Sequence, residues 1–276
     1  MARHPADYEL DFLYECTSEE LDPIVGAILG TVESKDAQGN EVKGPDGTPL
    51  RVIDRTGRIS SKLDGLDVFK ENYPNHKAYV DEIIEEIQLY GGHTAANLFR
   101  GYGVLYHEVL VDAAEKQGVN FKATQKTEVI EGRLLAKVLD DVWAKMTPEQ
   151  RQKIIDGAAG LNLKIGGFAA GALVGLINAG GFASYQIMLI VVNAVSRALF
   201  GRGLALAANA GLAQFVGVIA GPVGWLLSGL WAAWDMGSTA YRVTVPVCIY
   251  IAALRQLKKA ERAHPEYLLQ ASNAQG

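Results

Sequence analysis

Apolar residues recur at i, i+3, i+4 and i+7 through much of the first 160 positions, and the pattern then changes character. Val80, Ile83, Ile84 and Ile87 mark one helix face with acidic residues opposite, the spacing that gathers side chains on one side of a 3.6-residue turn. Ile130, Leu134, Val138 and Val142 mark another. Further helices are predicted around Ala95 to Arg100, from Val104 to about Lys116, and from Pro246 to about Arg262. Between Ile165 and Trp234 the polar face disappears: seventy residues hold two formal charges, Arg197 and Arg202. Such a run has to be shielded from water, by other helices or by lipid. Glycines interrupt it at 180–181, 201–203 and 221–224, leaving pieces at about 165–179, 182–200, 203–220 and 223–240.

The punctuation between stripes supports this reading. Thr17-Ser18-Glu19-Glu20 has the capping-box spacing, in which the hydroxyl and the glutamate each satisfy a free helix-end amide. Thr147-Pro148-Glu149-Gln150 opens another helix, with Thr as N-cap and Pro at the first helical position. Residues 31–62 break the pattern. Gly39-Asn40, Pro45-Asp46-Gly47 and Thr56-Gly57 are turn signals, and only Pro49 to Ile53 looks extended. A loop or small β-hairpin insert is predicted there. The expected fold is all-α: a multi-helix bundle with an apolar Gly/Ala-rich central helical hairpin. Its expected parts are an amphipathic region over 1–160, the apolar region over 161–262 and a polar tail over 263–276.

Charge adds a second asymmetry. The chain carries 26 Lys/Arg and 31 Asp/Glu, a net of −5. From Ile165 onward seven cations face three acids, +4, which leaves −9 on the first 164 residues. An acidic total excludes general nucleic-acid binding, which needs a basic footprint. Two cysteines, Cys16 and Cys248, far apart and without a CxxC spacing, fit buried thiols in a reducing cytoplasm. The first residues lack the apolar stretch of a secretory signal.

Lipid is one shield for 165–234. Ile165–Ser196 and Gly203–Trp234 are each thirty-two residues without a charge, above the roughly 18–20 needed to span a bilayer. Gly167, Gly171 and Gly175 form GxxxGxxxG, and Gly217 with Gly221 forms GxxxG, spacings that let helices approach closely. Arg197 and Arg202 sit at the turn between the stretches. Lys153, Lys164 and the cluster from Arg255 to Arg262 would flank the apolar segment on its cytoplasmic side; near a helix C-terminus those cations also suit the helix dipole. Against lipid, the glycine breaks leave pieces rising only ~22–28 Å. Asp235 and Arg242 are the charges nearest the segment's end, and a shared interior would make them an ion pair.

Chemistry is sparse. His4, His76, His93, His107 and His264 show no metal-ligand spacing, and Gly101-x-Gly103 is too short for a dinucleotide fingerprint. No metal, cofactor or catalytic set is expected. The weak binding candidates are His93, Asn97, Arg100 and Tyr106: Gly91-Gly92-His93-Thr94 precedes a helix, and Asn97 and Arg100 share one of its faces. The same residues also read as a helix stop, a Thr94 N-cap and backbone contacts.

Three segments carry a family resemblance. Tyr8 to Leu13 with Cys16 to Leu21, then Gly91 to Asn97 with Arg100 to Gly103 and Tyr106, and finally Gly221 to Gly224 with Gly237 to Pro246, resemble in order the motifs of the bacterial YaaW (UPF0174) family. That family is distantly grouped with the helical ubiquinol–cytochrome c chaperones. The resemblance implies a helical fold and supplies no catalytic residues. Relative to better-known members, the 31–62 loop looks longer here and 165–234 more apolar. The expected function is therefore non-enzymatic: a cytoplasmic protein, soluble when made, that meets the inner-membrane bilayer through 165–234 as a pore-forming or membrane-remodelling effector. The alternative is a soluble scaffold or assembly chaperone that binds a protein partner.

Overall fold

The computed structural model describes residues 6–33, 51–53, 62–90, 103–160, 181–200 and 241–268, with isolated positions between 36 and 42. It is an all-α bundle. A 3-10 helix, Tyr8–Glu15, leads into α1 (Ser18–Leu29). Two short strands follow, β1 (Thr31–Glu33) and β2 (Arg51–Ile53). Then come α2 (Asp67–Asn72), α3 (Val80–Tyr90), α4 (Tyr106–Lys116), α5 (Thr127–Lys145), α6 (Pro148–Gly160), α7 (Gly181–Phe200) and α8 (Tyr241–Ala263). Short 3-10 turns at Leu63–Gly65 and His76–Tyr79 precede α2 and α3.

Local chemistry sets the ends of these elements. Thr17 Oγ1 accepts from the Glu20 amide at 3.2 Å, and Glu20 Oε2 accepts from the Thr17 amide at 2.7 Å. The box predicted at Thr147 closes in the same way, through Gln150, at 3.2 and 2.9 Å. Each gives partners to two amides at a helix start that the helix itself cannot satisfy. β1 and β2 pair antiparallel, Thr31 opposite Ile53, Val32 opposite Val52 and Glu33 opposite Arg51. The insert thus holds a short two-stranded ribbon, and the turn predicted at Pro45-Asp46-Gly47 lies outside the described residues.

The predicted stripes form the core. Val80, Ile83 and Ile87 of α3 are buried, as are Ile130, Leu134, Val138 and Val142 of α5. Helices from the amphipathic and apolar regions share one hydrophobic cluster. Its axis is α8, which packs against α7, α5, α4 and α1. Residues 243–255 are buried without a break, so α8 is covered on all sides, as a helix apolar all round requires. It begins at Tyr241 rather than Pro246. The proline sits in the second turn, where its missing N–H forgoes one bond to the carbonyl four residues earlier.

α7 is the described part of the charge-poor segment. Residues 188–196 are buried in succession, against α8 and α1. No helix among the described residues is long and apolar enough to cross a membrane. Protein, rather than lipid, covers this piece. The glycine-rich hairpin itself lies outside the described residues.

Candidate functional site

The densest polar constellation lies inside the bundle, on the last turns of α8. Arg255 reaches Glu131 of α5 with two donors, Nε to Oε2 at 2.6 Å and a terminal nitrogen to Oε1 at 3.1 Å. The same terminal nitrogen donates to the Glu9 carbonyl at 2.6 Å. The guanidinium also lies over the Phe12 ring, 4.4 Å from its centroid. Tyr106 donates its hydroxyl to Glu131 Oε1 at 2.9 Å. Glu131 is 0% exposed and Arg255 6%. A charge so deep is tolerated only when its partners are fixed and complete. Burial pushes the Glu131 carboxyl above its ordinary range, while Arg255 and the Tyr106 hydroxyl pull against it. Burial works to lower the Arg255 value, but the charge and hydrogen bonds of Glu131 outweigh it and hold the guanidinium above its ordinary value.

One turn on, Lys258 Nζ lies 2.7 Å from Glu20 Oε1 and 2.9 Å from Glu261 Oε2. Tyr185 of α7 donates to Glu261 Oε1 at 3.2 Å, and Tyr250 donates to the Glu20 carbonyl at 3.0 Å. Glu20 therefore caps α1 with one oxygen and holds Lys258 with the other. Nearer the surface, Lys259 pairs with Glu128 and Arg262 with Glu15. The cluster from Arg255 to Arg262 was expected to flank a membrane segment or simply to face the helix dipole. Instead Arg255 and Lys258 are inside the protein and all four cations are in ion pairs with carboxylates. The physical reason is position: the apolar surroundings of α8 leave its buried cations no water, so carboxylates from α1 and α5 replace it.

Tyr106 is thus a structural residue. It is fully buried, and burial together with Glu131 raises its hydroxyl well above the ordinary tyrosine value. Its own amide donates to Asp7 Oδ2 at 2.6 Å, a carboxylate that also accepts from Gln88 at 3.1 Å. The other binding candidates, His93, Asn97 and Arg100, lie outside the described residues. The chain on either side of them is pinned: Val104 N–H donates to the Gln88 carbonyl at 3.1 Å. A Cβ on Gly103 would stand 2.3 Å from the Gln88 carbonyl carbon, so only glycine fits that approach. Gly167, Gly171, Gly175, Arg202, Gly217, Gly221 and Asp235 also lie outside the described residues, as do the side chains of Arg197 in α7 and Arg242 in α8. The Asp235–Arg242 pair is among these.

Two histidines have both ring nitrogens engaged, His76 buried in the core and His107 at its edge. His76 places Nδ1 2.5 Å from the Tyr79 hydroxyl and Nε2 3.1 Å from Asp22. His107 Nε2 must donate to the Ala123 carbonyl at 2.8 Å, which leaves Nδ1, when the ring is neutral, to accept from Thr127 at 2.9 Å. Among the described residues no group of three or more His, Cys, Asp or Glu could hold a metal ion. Cys16 and Cys248 are buried free thiols. Burial raises Cys16 to about 12 and Cys248 further.

Sequence reasoning missed Glu20, Glu131, Lys258, Glu261 and Tyr185 as one system. A signal was present: Glu131 sits beside Ile130, Leu134 and Leu135, within an apolar stripe. A carboxylate there demands a buried cation.

The family description "Ubiquinol-cytochrome C chaperone" matches residues 75–248. A UPF0174 protein of Helicobacter pylori is 38% identical over 201 residues, 72% of this chain and 79% of its own. Another from the same organism is 34% identical, covering 74% of this chain and all of the relative. The UPF0174 protein YaaW of Escherichia coli is 27% identical over 92% of this chain and 96% of its own. No solved structure matches. With the helical fold described above, these matches show that the chain belongs to the UPF0174 family, within the wider ubiquinol–cytochrome c chaperone family.

Proposed function

We propose that the protein is a non-enzymatic scaffold or assembly chaperone that binds a protein partner in the cytoplasm. The observation that carries this reading is the match to a chaperone family across residues 75–248. Two structural facts agree with it. α7, the described part of the charge-poor run, is covered by protein, and the cations expected to flank a bilayer are paired with carboxylates inside the bundle. The free thiols suit a reducing compartment.

The competing reading is conditional insertion into a membrane, and the run of seventy residues with two charges favours it. One experiment separates the two. The tagged full-length chain is expressed in its own host, crosslinked and purified; any protein recovered in fixed ratio is then used to pull down the chain reciprocally. In parallel, purified chain is added to dye-loaded anionic vesicles under neutral and acidic conditions. The chaperone reading expects a reciprocal, fixed-ratio partner and intact vesicles. Vesicle leakage, retention in carbonate-washed membranes and no reciprocal partner would replace it with the membrane reading.

A further inference from the structure

The N-terminal 3-10 helix is eight residues long, well beyond the three or four usual for this type. With three residues per turn, positions i and i+3 eclipse. Leu10 and Leu13 form one ridge and are buried. Tyr8, Asp11 and Tyr14 form another, and all three are exposed. Tyr8 is 81% exposed and Tyr14 47%, the two most exposed large hydrophobic side chains among those described.

The ridge is held rigidly from behind. Arg255 grips the Glu9 carbonyl and lies over Phe12. At one end the Tyr14 hydroxyl donates to Asp81, at the start of α3. Burial, the hydrogen bond to Asp81 and the negative charges of Asp81, Asp11 and Glu82 raise that phenol to about 12. At the other end the neighbouring Asp7 is fixed, because its carboxylate accepts from the Tyr106 amide and from Gln88. Two exposed rings thus stand on a pre-formed helix among carboxylates.

We propose that this ridge docks a basic segment of a protein partner, with the faces of Tyr8 and Tyr14 against Arg or Lys side chains and Asp11, Asp81 and Glu82 against their charges. Aromatic faces attract cations, Tyr and Arg are the side chains most favoured at interface centres, and carboxylates repel an acidic peptide or a nucleic acid. The local sign agrees with the charge balance, since the first 164 residues carry the −9. This deepens the assembly role above and rests on it.

The test uses the full chain and a fluorescein-labelled helical peptide with alternating Arg and Leu pairs, beside a copy with Glu for every Arg. Binding is read by fluorescence anisotropy. The Arg peptide should bind and the Glu peptide should not. A variant carrying Tyr8→Ala and Asp11→Lys, both exposed and therefore neutral to the melting temperature, should bind about tenfold more weakly or worse. Glu149→Lys, a single charge reversal on α6, should stay within about twofold. An unchanged affinity in the ridge variant, or an equal loss in Glu149→Lys, overturns the assignment. So does self-association in sedimentation velocity that the ridge variant abolishes, because the occupant is then a second copy. If the fixed-ratio partner still binds the ridge variant, the ridge fails and the assembly role stands. If no such partner exists while the ridge discriminates the peptides, the assembly role fails instead.

Discussion

Replacing Arg255 by Met removes the cation paired with Glu131 among the described residues and leaves a carboxylate that is 0% exposed among apolar helices. Breaking a buried pair from one side costs about 3–5 kcal/mol, most of it the penalty for the orphaned charge. That is a large share of the ~5–15 kcal/mol that holds a typical domain together. With a urea slope near ~3 kcal/mol/M the unfolding midpoint should fall by roughly 1–2 M. Removing the rest of the system should reverse most of this. Arg255→Met with Glu131→Leu eliminates both charges but leaves the Tyr106 hydroxyl without its acceptor, at about 1–3 kcal/mol. Adding Tyr106→Phe removes that donor as well. The triple variant then lacks chiefly the bond to the Glu9 carbonyl, and should lie within ~1–2 kcal/mol of the parent. Urea titrations followed by circular dichroism give the order: parent, triple, double, with Arg255→Met least stable. A single variant within 1 kcal/mol of the parent, or a triple variant no better than the single, would refute the claim that the ion pair is deeply buried.

Two glycines make opposite predictions. Gly103→Ala should destabilise by about 1–3 kcal/mol or more, because its Cβ would meet backbone atoms of Gln88 that cannot move aside. Gly132→Ala, within α5 and with nothing within 4 Å of the added carbon, should stabilise by about 0.5–1 kcal/mol; thermal melts of both variants check the pair. The thiols should be silent in the native protein: at pH 8 a group titrating near 12 is about 10⁻⁴ thiolate. A chromogenic disulfide should therefore label neither cysteine until urea is added, and then both. Rapid native labelling of Cys16 would contradict its burial.

Much of the helical scaffold was legible in the sequence because it depends on neighbours. The stripes of α3 and α5 follow from 3.6-residue spacing, and the capping boxes at Thr17 and Thr147 are four-residue devices. The boundaries of α7 were legible from Gly181, which takes a φ of 77° at its start. The start of α8 was not, because Pro246 resembles a first-turn residue and tertiary burial carries the helix five residues further back. The ionic system was least legible. Arg255 and Lys258 look like solvated cations at a helix end, and nothing local reveals that their partners stand on α5 and α1. Tyr106 was singled out with a neighbouring motif in mind, yet its role is set by Glu131, twenty-five residues away.

The contacts that fasten the N-terminal 3-10 helix have a kinetic corollary. Glu9 meets Arg255 across 246 positions of chain, and Glu20 meets Tyr250 across 230. Pairings of such separation form slowly, because the intervening chain must first be drawn closed. During synthesis the earliest turns leave the ribosome long before α8 exists to receive them. The nascent bundle therefore waits with the Phe12 ring and the Glu9 carbonyl lacking Arg255 until the final helix arrives, and that interval is when this polypeptide itself most needs a holdase.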